Sequence, residues 1–343
     1  MLYEVTIGIP AYRAVDYIET TMLSALAQTY ESIEFLIVDD CGNDGTMDIV
    51  ERLQHEHPRG ADIKILRNEH NLGVGPSRNR IIDEARGRCL YFLDSDDTIE
   101  SNTIELMVRT MRTNACDVVY ASYERVDNVM HTPTRQAVYP ALSMPCPGDL
   151  AIYAFQHYGT FQTSVCNCLI DMDFLRTTHL KFIDTMFWED MAFTYELVTK
   201  VKKAVLLPDV TYHYLCRPFS LSNYQDREQI NKKEVQKNVL TIEHLKKKCF
   251  QHYNQPYAPY MCYNLEMNSF YIICYVLKHQ QRIVPSFSNK ELRLCMRFPL
   301  PLHKLLRFRH KRGSNLVLWL VSHLPTPVFI PLIKAFGRSK GIL

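Results

Sequence analysis

Cys89-Leu90-Tyr91-Phe92-Leu93-Asp94-Ser95-Asp96-Asp97 is an apolar run that ends in three carboxylates within four positions. An apolar run of this length predicts a buried strand, and Asp is unfavourable inside strands and costly to bury. Carboxylates at the end of a strand are therefore placed to bind a positive group. A divalent cation that carries a phosphate is the leading candidate, and a surface turn, in which Asp and Ser are common, is the alternative.

Strand and helix patterns alternate along the first 120 residues, which indicates parallel βαβ units. We predict strands at residues 5–9, 33–38, 63–66 and 89–93 and from residue 118 onward, with helices between them. Crossovers in such sheets are right-handed, and ligands bind beyond the carboxyl ends of the strands. Farther along, residues 204–207 predict another strand, which Pro208 should end.

Residues capable of chemistry follow or end three of these predicted strands. They are residues 10–12, 39–40 and 94–97. Because the carboxyl ends of parallel strands meet at one edge of a sheet, we expect these residues to form a single site.

Tyr12 and Asp39 are candidates for binding a nucleoside. The Tyr12 ring could stack on a base, and the Asp39 carboxylate could accept a hydrogen bond from an imide N–H. The alternatives are a half-buried tyrosine and an aspartate that interacts with a helix dipole.

Residues 71–79 join a glycine-containing loop to the start of a helix. Glycine permits close backbone approach and helix N-termini favour anions, so Arg78 could reach a diphosphate with its guanidinium group. The segment matches neither the P-loop pattern nor the dinucleotide-binding GxGxxG pattern. The lack of a match to either pattern argues against an ATPase and against an NAD enzyme.

Two further segments carry acidic or imidazole groups. Phe187-Trp188-Glu189-Asp190 places two acids at an apparent helix start, where they could act as a general base or merely stabilise the helix N-terminus. His213 lies between two tyrosines and could be a further ligand for a transition metal. A structural histidine with satisfied hydrogen bonds is the alternative.

Taken together, these segments resemble the family-two inverting glycosyltransferases, which have the GT-A fold. The matching segments follow the family's order over about residues 4–224. They are Ile7-Gly8-Ile9-Pro10-Ala11-Tyr12, Leu26-Ala27-Gln28-Thr29-Tyr30, Ile37-Val38-Asp39-Asp40, Asn71-Leu72-Gly73 with Ser77-Arg78-Asn79, Phe92-Leu93-Asp94-Ser95-Asp96-Asp97, Trp188-Glu189-Asp190, and Tyr212-His213-Tyr214 with Arg217 and Ser220-Leu221-Ser222. The resemblance implies an α/β, GT-A-like fold: a doubly wound, mostly parallel sheet flanked by helices, with a helical C-terminal extension.

The resemblance also implies three groups of site residues. The donor, a nucleotide sugar and most often a UDP-sugar, would be bound by Pro10, Tyr12, Asp39, Asn71, Arg78, Asp94, Ser95 and Arg217. The cofactor would be Mg²⁺ or Mn²⁺, held by Asp96, Asp94 and His213. Asp190 would be the catalytic base, with Glu189 supporting it.

The implied function is a metal-dependent inverting glycosyltransferase in cell-surface polysaccharide synthesis, with a glycan or lipid-linked hydroxyl as acceptor. A nucleotidyltransferase is one alternative, but it should carry a Gly-rich basic segment after its first strand, and residues 10–13 do not resemble one. A non-catalytic nucleotide-sugar-binding protein is another. The presence of Asp94, Asp96 and Asp190 together argues against that alternative.

Charge divides the chain unevenly. Residues 1–291 hold 29 Lys and Arg against 37 Asp and Glu, whereas residues 292–343 hold 10 Lys and Arg and no acid. We expect a donor-binding and catalytic domain at residues 1–225, with residues 1–120 as its donor half and 121–225 as its acceptor half. Residues 226–343 should form a helical region.

The basic segment from residue 292 onward also contains apolar residues that prolines interrupt. This pattern predicts association with the surface of an anionic membrane, and a basic helix packed on the catalytic domain is the alternative. Nucleic acid is not an expected partner, because the rest of the chain is acidic. Eleven scattered cysteines and an N-terminus without a secretory pattern predict a cytoplasmic protein, peripheral on the inner face of the cytoplasmic membrane.

Overall fold

The computed structural model describes residues 3–127, 132–185, 188–217 and 228–343. These residues form two compact units. The first comprises the described residues of Met1–Leu150, Gln162–Asp184 and Glu189–Pro218, and the second those of Ala151–Phe161, Thr185–Trp188 and Phe219–Leu343. Phe187 and residues 220–222, which belong to two of the sequence motifs, lie outside the described residues.

The first unit begins with four strands and the helices that connect them. They are β1 (Tyr3–Ala11), α1 (Ile18–Leu26), β2 (Ile33–Asp39), α2 (Thr46–Glu56), β3 (Ile63–Arg67), α3 (Val74–Glu84) and β4 (Gly87–Phe92). The strands pair in parallel in the order β3-β2-β1-β4. The four strands predicted in this part of the sequence are therefore confirmed, as is the parallel arrangement that the alternating pattern predicted.

The central strands of this half are buried on both faces. Strand β2 reads as a nearly continuous apolar run, which is typical of a strand covered by helices on each side. Helix α3 packs very close to β1, because a Cβ atom at Gly8 would lie only 2.3 Å from Cγ2 of Ile81. Gly8 thus fixes the distance between β1 and the helix that carries Arg78.

The other half of the main sheet mixes strand directions. Its strands and the helices between them are β5 (Thr98–Ile99), α4 (Thr103–Asn114), β6 (Val118–Asp127), β7 (Pro133–Ala137), β8 (Leu142–Met144), α5 (Asp149–Gln156), β9 (Cys168–Asp171), α6 (Met172–Thr178), α7 (Glu189–Lys200) and β10 (Ala204–Cys216). Strand β9 is antiparallel to both β4 and β6, and β10 is parallel to β6. Strands β1, β2, β4, β6 and β10 therefore run in one direction, and their carboxyl ends share one edge.

Two features of this half were not predicted correctly. Strand β9 is four residues long, too short for an apolar pattern to distinguish it from a loop. Strand β10 continues through Pro208 to Cys216, with shifts of register against β6 on both sides of Val210. Pro208 has no N–H to donate, and such an irregularity is where a strand tolerates it. The expected end of the strand at Pro208 is therefore wrong.

The second unit is mostly helical, as expected for the C-terminal region. Besides part of α5, it contains β11 (Ile230–Asn231), α8 (Lys232–His252), α9 (Ala258–Lys278), β12 (Ile283–Val284), α10 (Asn289–Cys295), α11 (Leu302–Leu305), α12 (Arg312–His323) and α13 (Thr326–Ser339). A buried ion pair joins α8 to α9, with Lys246 Nζ 2.6 Å from Glu266 Oε1. None of the described helices combines the length and apolar character needed to cross a membrane.

Candidate active site

The ends of β1 and β2 bring two predicted donor-binding residues to the same edge. Ala11 pairs with Asp39 and Pro10 with Val38, so Tyr12 and Asp39 follow or end adjacent strands. Tyr12 is 41 % exposed, and the Arg13 guanidinium carbon lies 5.3 Å from the centre of its ring. The Asp39 carboxylate accepts a hydrogen bond from the Cys41 N–H at 3.0 Å. This part of the edge therefore carries an exposed aromatic ring beside an oriented carboxylate.

Asp40 positions the loop that follows β3, a role not assigned to it from the sequence. Its carboxylate accepts hydrogen bonds from the backbone N–H groups of Leu72 and Gly73, both at 2.8 Å, and from Asn68 Nδ2 at 2.8 Å. Asn71 is exposed in this loop, directly before the anchored residues. In the sequence, Asp40 is visible as the second acid of the Asp39-Asp40 pair. Its hydrogen-bond partners, however, lie about thirty residues farther along the chain.

Arg78 connects the two acidic segments of the site. Its side chain is only 3 % exposed, and its guanidinium group lies 2.8 Å from Asp94 Oδ1 and 3.1 Å from Glu189 Oε1 and also donates to Asp190. Burial alone would lower the pKa of Arg78, but the charges of Asp190 and Asp94 raise it well above its ordinary value. Arg78 is therefore a permanent cation shared by three carboxylates.

Gly75 lies where the first turn of α3 passes close to Ile183 and Glu189. A Cβ atom at Gly75 would lie 3.2 Å from the Ile183 carbonyl oxygen, which is tight, and 3.6 Å from Glu189 Cγ, which is ordinary van der Waals contact. The helix that carries Arg78 therefore runs directly beside the start of α7.

Asp190 and Glu189, predicted as base and supporting residue, open helix α7. Burial raises the pKa of Asp190, Arg78 opposes the rise, and the negative charges of Glu189 and Asp94 add to it, which together bring the pKa to about 8. The Asp190 side chain is 22 % exposed, so an acceptor can still reach it. Burial likewise raises the pKa of Glu189, again opposed by Arg78. A carboxylate with a raised pKa is suited to accept a proton near neutral pH.

The acidic segment after β4 is held in place by cations. Asp94 bonds to Arg78, Ser95 is buried, and Asp96 forms an ion pair with Arg217 at the end of β10. Burial and the nearby charge of Asp94 raise the pKa of Asp96, whereas Arg217 lowers it. Arg217 is thus a counter-ion to Asp96, one of the three residues predicted to hold a metal.

Asp97 was not assigned a role from the sequence, yet it ties this segment to β10. It is almost fully buried, and its carboxylate accepts hydrogen bonds from the Tyr212 hydroxyl at 2.5 Å and from the Leu215 N–H at 2.8 Å. Burial and the charges of Asp96 and Asp94 raise its pKa well above the ordinary range. The sequence shows that a third acid ends the run, but it does not show which buried groups this acid contacts.

His213 contacts two other carboxylates rather than Asp94 or Asp96. Its Nδ1 lies 2.9 Å from Glu124 Oε1 and its Nε2 lies 2.9 Å from Glu100 Oε1. The Glu124 contact follows from strand register, because His213 on β10 pairs directly with Glu124 on β6. His213 and Asp96 nevertheless line the same cavity, of about 410 Å³. Ligation of a metal by His213 would require it to leave one of the two glutamates.

Asp94 and Asp96 fit a divalent cation that arrives with a phosphate. Within residues 3–127, 132–185, 188–217 and 228–343, no group of three or more His, Cys, Asp or Glu side chains could hold a metal ion alone. Mg²⁺, however, is usually held by one or two carboxylates together with substrate phosphates. Asp94 and Asp96 are both partly buried, and the charge of Asp94 raises the pKa of Asp96, a repulsion that a bound cation would relieve. Binding of Mg²⁺ or Mn²⁺ here stays a prediction.

The sheet order, the helices on both faces and the acids at the carboxyl edge define an α/β protein of the GT-A type. Residues 6–176 match the family model described as "Glycosyl transferase family 2". The chain belongs to this family, and the family predicted from the sequence motifs is confirmed.

Curated relatives match different lengths of the chain. WfaP of Escherichia coli, a UDP-Glc:alpha-D-GlcNAc-diphosphoundecaprenol beta-1,3-glucosyltransferase, is 27 % identical over 249 residues, or 73 % of this chain and 92 % of WfaP. WfgD of Escherichia coli, which carries the same enzyme name, is 36 % identical over 37 % of this chain and 48 % of WfgD. TuaG of Bacillus subtilis (strain 168) is 32 % identical over 43 % of this chain. The chain thus matches only 60 % of the length of TuaG and about half of WfgD.

Solved structures support the fold. The crystal structure of S. aureus TarS 1-349 in complex with UDP-GlcNAc superposes with a TM-score of 0.56 over 93 % of this chain and 90 % of that one, at 17 % identity. A likeness at this identity concerns the fold alone. The predicted GT-A-like architecture with a helical C-terminal region is confirmed.

Proposed function

We propose that this protein is a metal-dependent inverting glycosyltransferase. It would transfer a sugar from a UDP-sugar to a hydroxyl group of a glycan or lipid-linked acceptor in the synthesis of a cell-surface polysaccharide. The observation that carries the proposal is the guanidinium group of Arg78, which joins Asp94 of the donor and metal segment to Asp190 of the base segment. The names of WfgD and WfaP, which specify UDP-Glc and a diphosphoundecaprenol-linked acceptor, support the donor and acceptor classes.

The donor would be held at the carboxyl edge of the sheet. Tyr12 would stack on the base, and the Asp39 carboxylate would accept a hydrogen bond from the imide N–H of the base. Asp94 and Ser95 would face the ribose and diphosphate. Arg217, which pairs with Asp96, would turn to the diphosphate when a nucleotide is bound. A divalent cation at Asp96 and Asp94, when bound, would supply Lewis-acid stabilisation of the negative charge on the leaving diphosphate.

Asp190 would act on the acceptor. Its carboxylate accepts the proton of the acceptor hydroxyl as the hydroxyl oxygen forms a bond to the anomeric carbon. The bond from that carbon to the diphosphate oxygen breaks on the opposite face, so one displacement inverts the configuration. Arg78 holds the Asp190 carboxylate in position, and Glu189 shares the same guanidinium group. General-base assistance of this kind contributes roughly 10²–10⁴-fold to the rate.

The Asp190→Asn variant tests this proposal directly. The amide keeps the size of the side chain but cannot accept the proton, so transfer should fall roughly 10²–10⁴-fold while UDP-sugar binding is retained. Asp173→Asn is the matched control, since Asp173 lies on α6 with a largely exposed side chain. Radiolabelled sugar transfer and calorimetric donor binding are the two measurements. Transfer at the wild-type rate by Asp190→Asn would refute the assignment of the base.

We also propose a division of labour along the chain. Residues 1–120 would bind the donor, residues 121–225 would contribute to the acceptor site, and residues 226–343 would form a separate helical region. The chain would work in the cytoplasm, peripheral on the inner face of the cytoplasmic membrane, where lipid-linked acceptors are presented. Support comes from α12 and α13, which expose Leu320 and Phe336 in a segment with ten basic residues and no acid.

A further inference from the structure

A cavity of about 230 Å³ lies in the second compact unit and is lined by none of the residues assigned above to the reaction. Its wall consists of the end of α5 and the turn after it, one face of α9, and Lys311 before α12. Tyrosine and asparagine make up most of this wall. The composition is unusual for a packing defect, which would be lined by aliphatic side chains.

One face of α9 forms the largest part of the wall. Its lining residues recur at spacings of three and four, which places them on one side of the helix: Tyr260, Tyr263, Asn264, Met267, Asn268 and Tyr271. The rest of α9 is mostly buried and apolar, apart from the buried Glu266 and Ser269. The outward face of a packed helix ordinarily carries charged and polar side chains. This face instead presents three tyrosines and two asparagines, a composition that suits a ligand with both hydroxyl groups and apolar C–H faces.

Two asparagines fix the wall in position. Asn264, which is 7 % exposed, donates from Nδ2 to the Phe155 carbonyl oxygen at 2.8 Å. Asn268 donates from Nδ2 to the Tyr158 hydroxyl oxygen at 2.8 Å. The tyrosine ring and the end of α5 are thereby held against α9. A wall held by buried hydrogen bonds is organised before a ligand arrives, which lowers the cost of binding.

The cavity carries positive charge. Lys311 is part of the lining, with Nζ 4.4 Å from the centre of the Tyr263 ring, and none of the described lining residues carries a carboxylate. The adjacent residue His310 stacks on Tyr260 at 6.0 Å between ring centres. Residues 309–312 read Arg-His-Lys-Arg. A ligand with a negative group is therefore favoured over a neutral one.

We propose that this cavity binds one acidic sugar residue of a saccharide. Tyrosine faces would pack against the C–H groups of the ring, the asparagine and tyrosine polar groups would bond to hydroxyls, and Lys311 would pair with the carboxylate or phosphate. The volume is below the range of roughly 300–1,000 Å³ typical of drug-sized ligands, which fits a single ring. The inference rests on the proposed function only in the choice of a saccharide over other anions.

Calorimetric titration of the full chain, with saturating UDP to occupy the donor site, tests the proposal. The probes are a glucuronate-containing tetrasaccharide, the same tetrasaccharide with its carboxyl groups reduced, and N-acetylglucosamine 6-phosphate. We expect the acidic tetrasaccharide to bind at least tenfold more tightly than its reduced form. Binding of the sugar phosphate as well would identify either anionic group as sufficient. No detectable binding of either acidic probe would overturn the proposal.

Four variants locate the binding. Lys311→Gln should reduce the affinity for the acidic tetrasaccharide to that of the reduced form, and Tyr271→Ala should weaken both about tenfold. Lys304→Gln and Phe250→Ala are the matched controls: Lys304 Nζ also lies over an aromatic ring, at 3.5 Å from that of Phe250, and Phe250 is as exposed as Tyr271. Equal losses of affinity in the control variants would overturn the assignment of binding to this cavity.

The test of saccharide binding and the test of the proposed function can fail independently of each other. Asp190→Asn should bind the acidic tetrasaccharide like the wild type, because Asp190 does not line this cavity. A protein that bound the probe but transferred no sugar would refute the proposed function alone. A protein that transferred sugar but bound no acidic probe would refute this inference alone.

Discussion

Arg78 and Asp190 lie 112 residues apart in the chain and share a hydrogen bond between a buried guanidinium group and a partly exposed carboxylate. The same guanidinium group binds Asp94, so one side chain orients groups from both acidic segments. Burial raises the pKa of Asp190 to about 8 and Arg78 opposes that rise. The balance between these two effects determines when the carboxylate can accept a proton.

Removal of the Arg78 charge should destabilise the protein more at alkaline pH than at acidic pH. In Arg78→Met the pKa values of Asp190 and Glu189 rise further, so the folded state binds protons more tightly than the unfolded state. Stability then falls as pH rises, because the unfolded carboxylates ionise freely and the folded ones do not. Breaking a buried ion pair typically costs about 3–5 kcal/mol. Urea denaturation at pH 6 and pH 9 measures the difference.

Arg88→Met is the control for this experiment, since Arg88 lies on the neighbouring strand β4 with an exposed side chain. It should lose little stability at either pH. Equal destabilisation of Arg78→Met at pH 6 and pH 9 would contradict the electrostatic role, and would leave Arg78 a packing residue.

The transfer rate should rise with pH up to the pKa of Asp190. Only the ionised carboxylate accepts a proton, so below the pKa of about 8 we expect kcat/KM to fall about tenfold per pH unit. The charge of Glu189 contributes to the raised pKa of Asp190. Glu189→Gln should therefore move the midpoint of the profile to lower pH. A wild-type midpoint below pH 5, or an unchanged midpoint in Glu189→Gln, would be inconsistent with this assignment.

The sequence was sufficient to predict which residue types end the strands, but not which of them contact each other. The apolar runs before Asp39 and Asp94 identify buried strands, and parallel pairing then places their ends at one edge. The contact between Arg78 and Asp190 depends instead on the direction in which α3 and α7 enter that edge, which no local pattern encodes. The partners of Asp97 and His213 depend on the register of β10, which continues past Pro208 against expectation.

Loss of the Tyr212 hydroxyl should destabilise the first unit. In Tyr212→Phe the buried Asp97 carboxylate loses one of its two hydrogen-bond donors, which typically costs about 1–3 kcal/mol. Urea denaturation measures the loss, and Tyr123→Phe on the adjacent strand β6 is the control. In an Asp97→Asn background the same substitution should cost less, because the carboxyl group that the hydroxyl binds has been replaced. A full cost in that background would mean that the hydroxyl acts on another group.

His213 should contribute less than Asp96 to cation binding. Asp96→Asn removes a carboxylate ligand and should abolish Mn²⁺ binding in the presence of UDP. His213→Asn should weaken it about 10–100-fold if the ring leaves one glutamate to ligate the cation, and His55→Asn on α2 should not. Electron paramagnetic resonance of free Mn²⁺ measures each affinity without turnover. Unchanged affinity in His213→Asn would remove His213 from the metal site and leave it a partner of Glu100 and Glu124.

The protein should bind anionic vesicles through α12 and α13. Leu320 and Phe336 are 58 % and 45 % exposed, and basic residues near an anionic surface contribute about 1 kcal/mol each. We expect flotation with phosphatidylglycerol-containing liposomes, weaker flotation at high salt, and little with phosphatidylcholine alone. The Leu320→Gln, Phe336→Gln double variant should lose most of the bound fraction, because its apolar contact with the acyl region is removed.

Leu240→Gln is the matched control, because Leu240 on α8 is 60 % exposed yet lies outside the basic segment. It should float like the wild type, because the contact with the membrane is assigned to α12 and α13 and not to α8. Equal flotation of the double variant and the wild type would mean that charge alone, or another surface, mediates contact. An absence of flotation in the wild type would assign the basic segment to packing within the second unit.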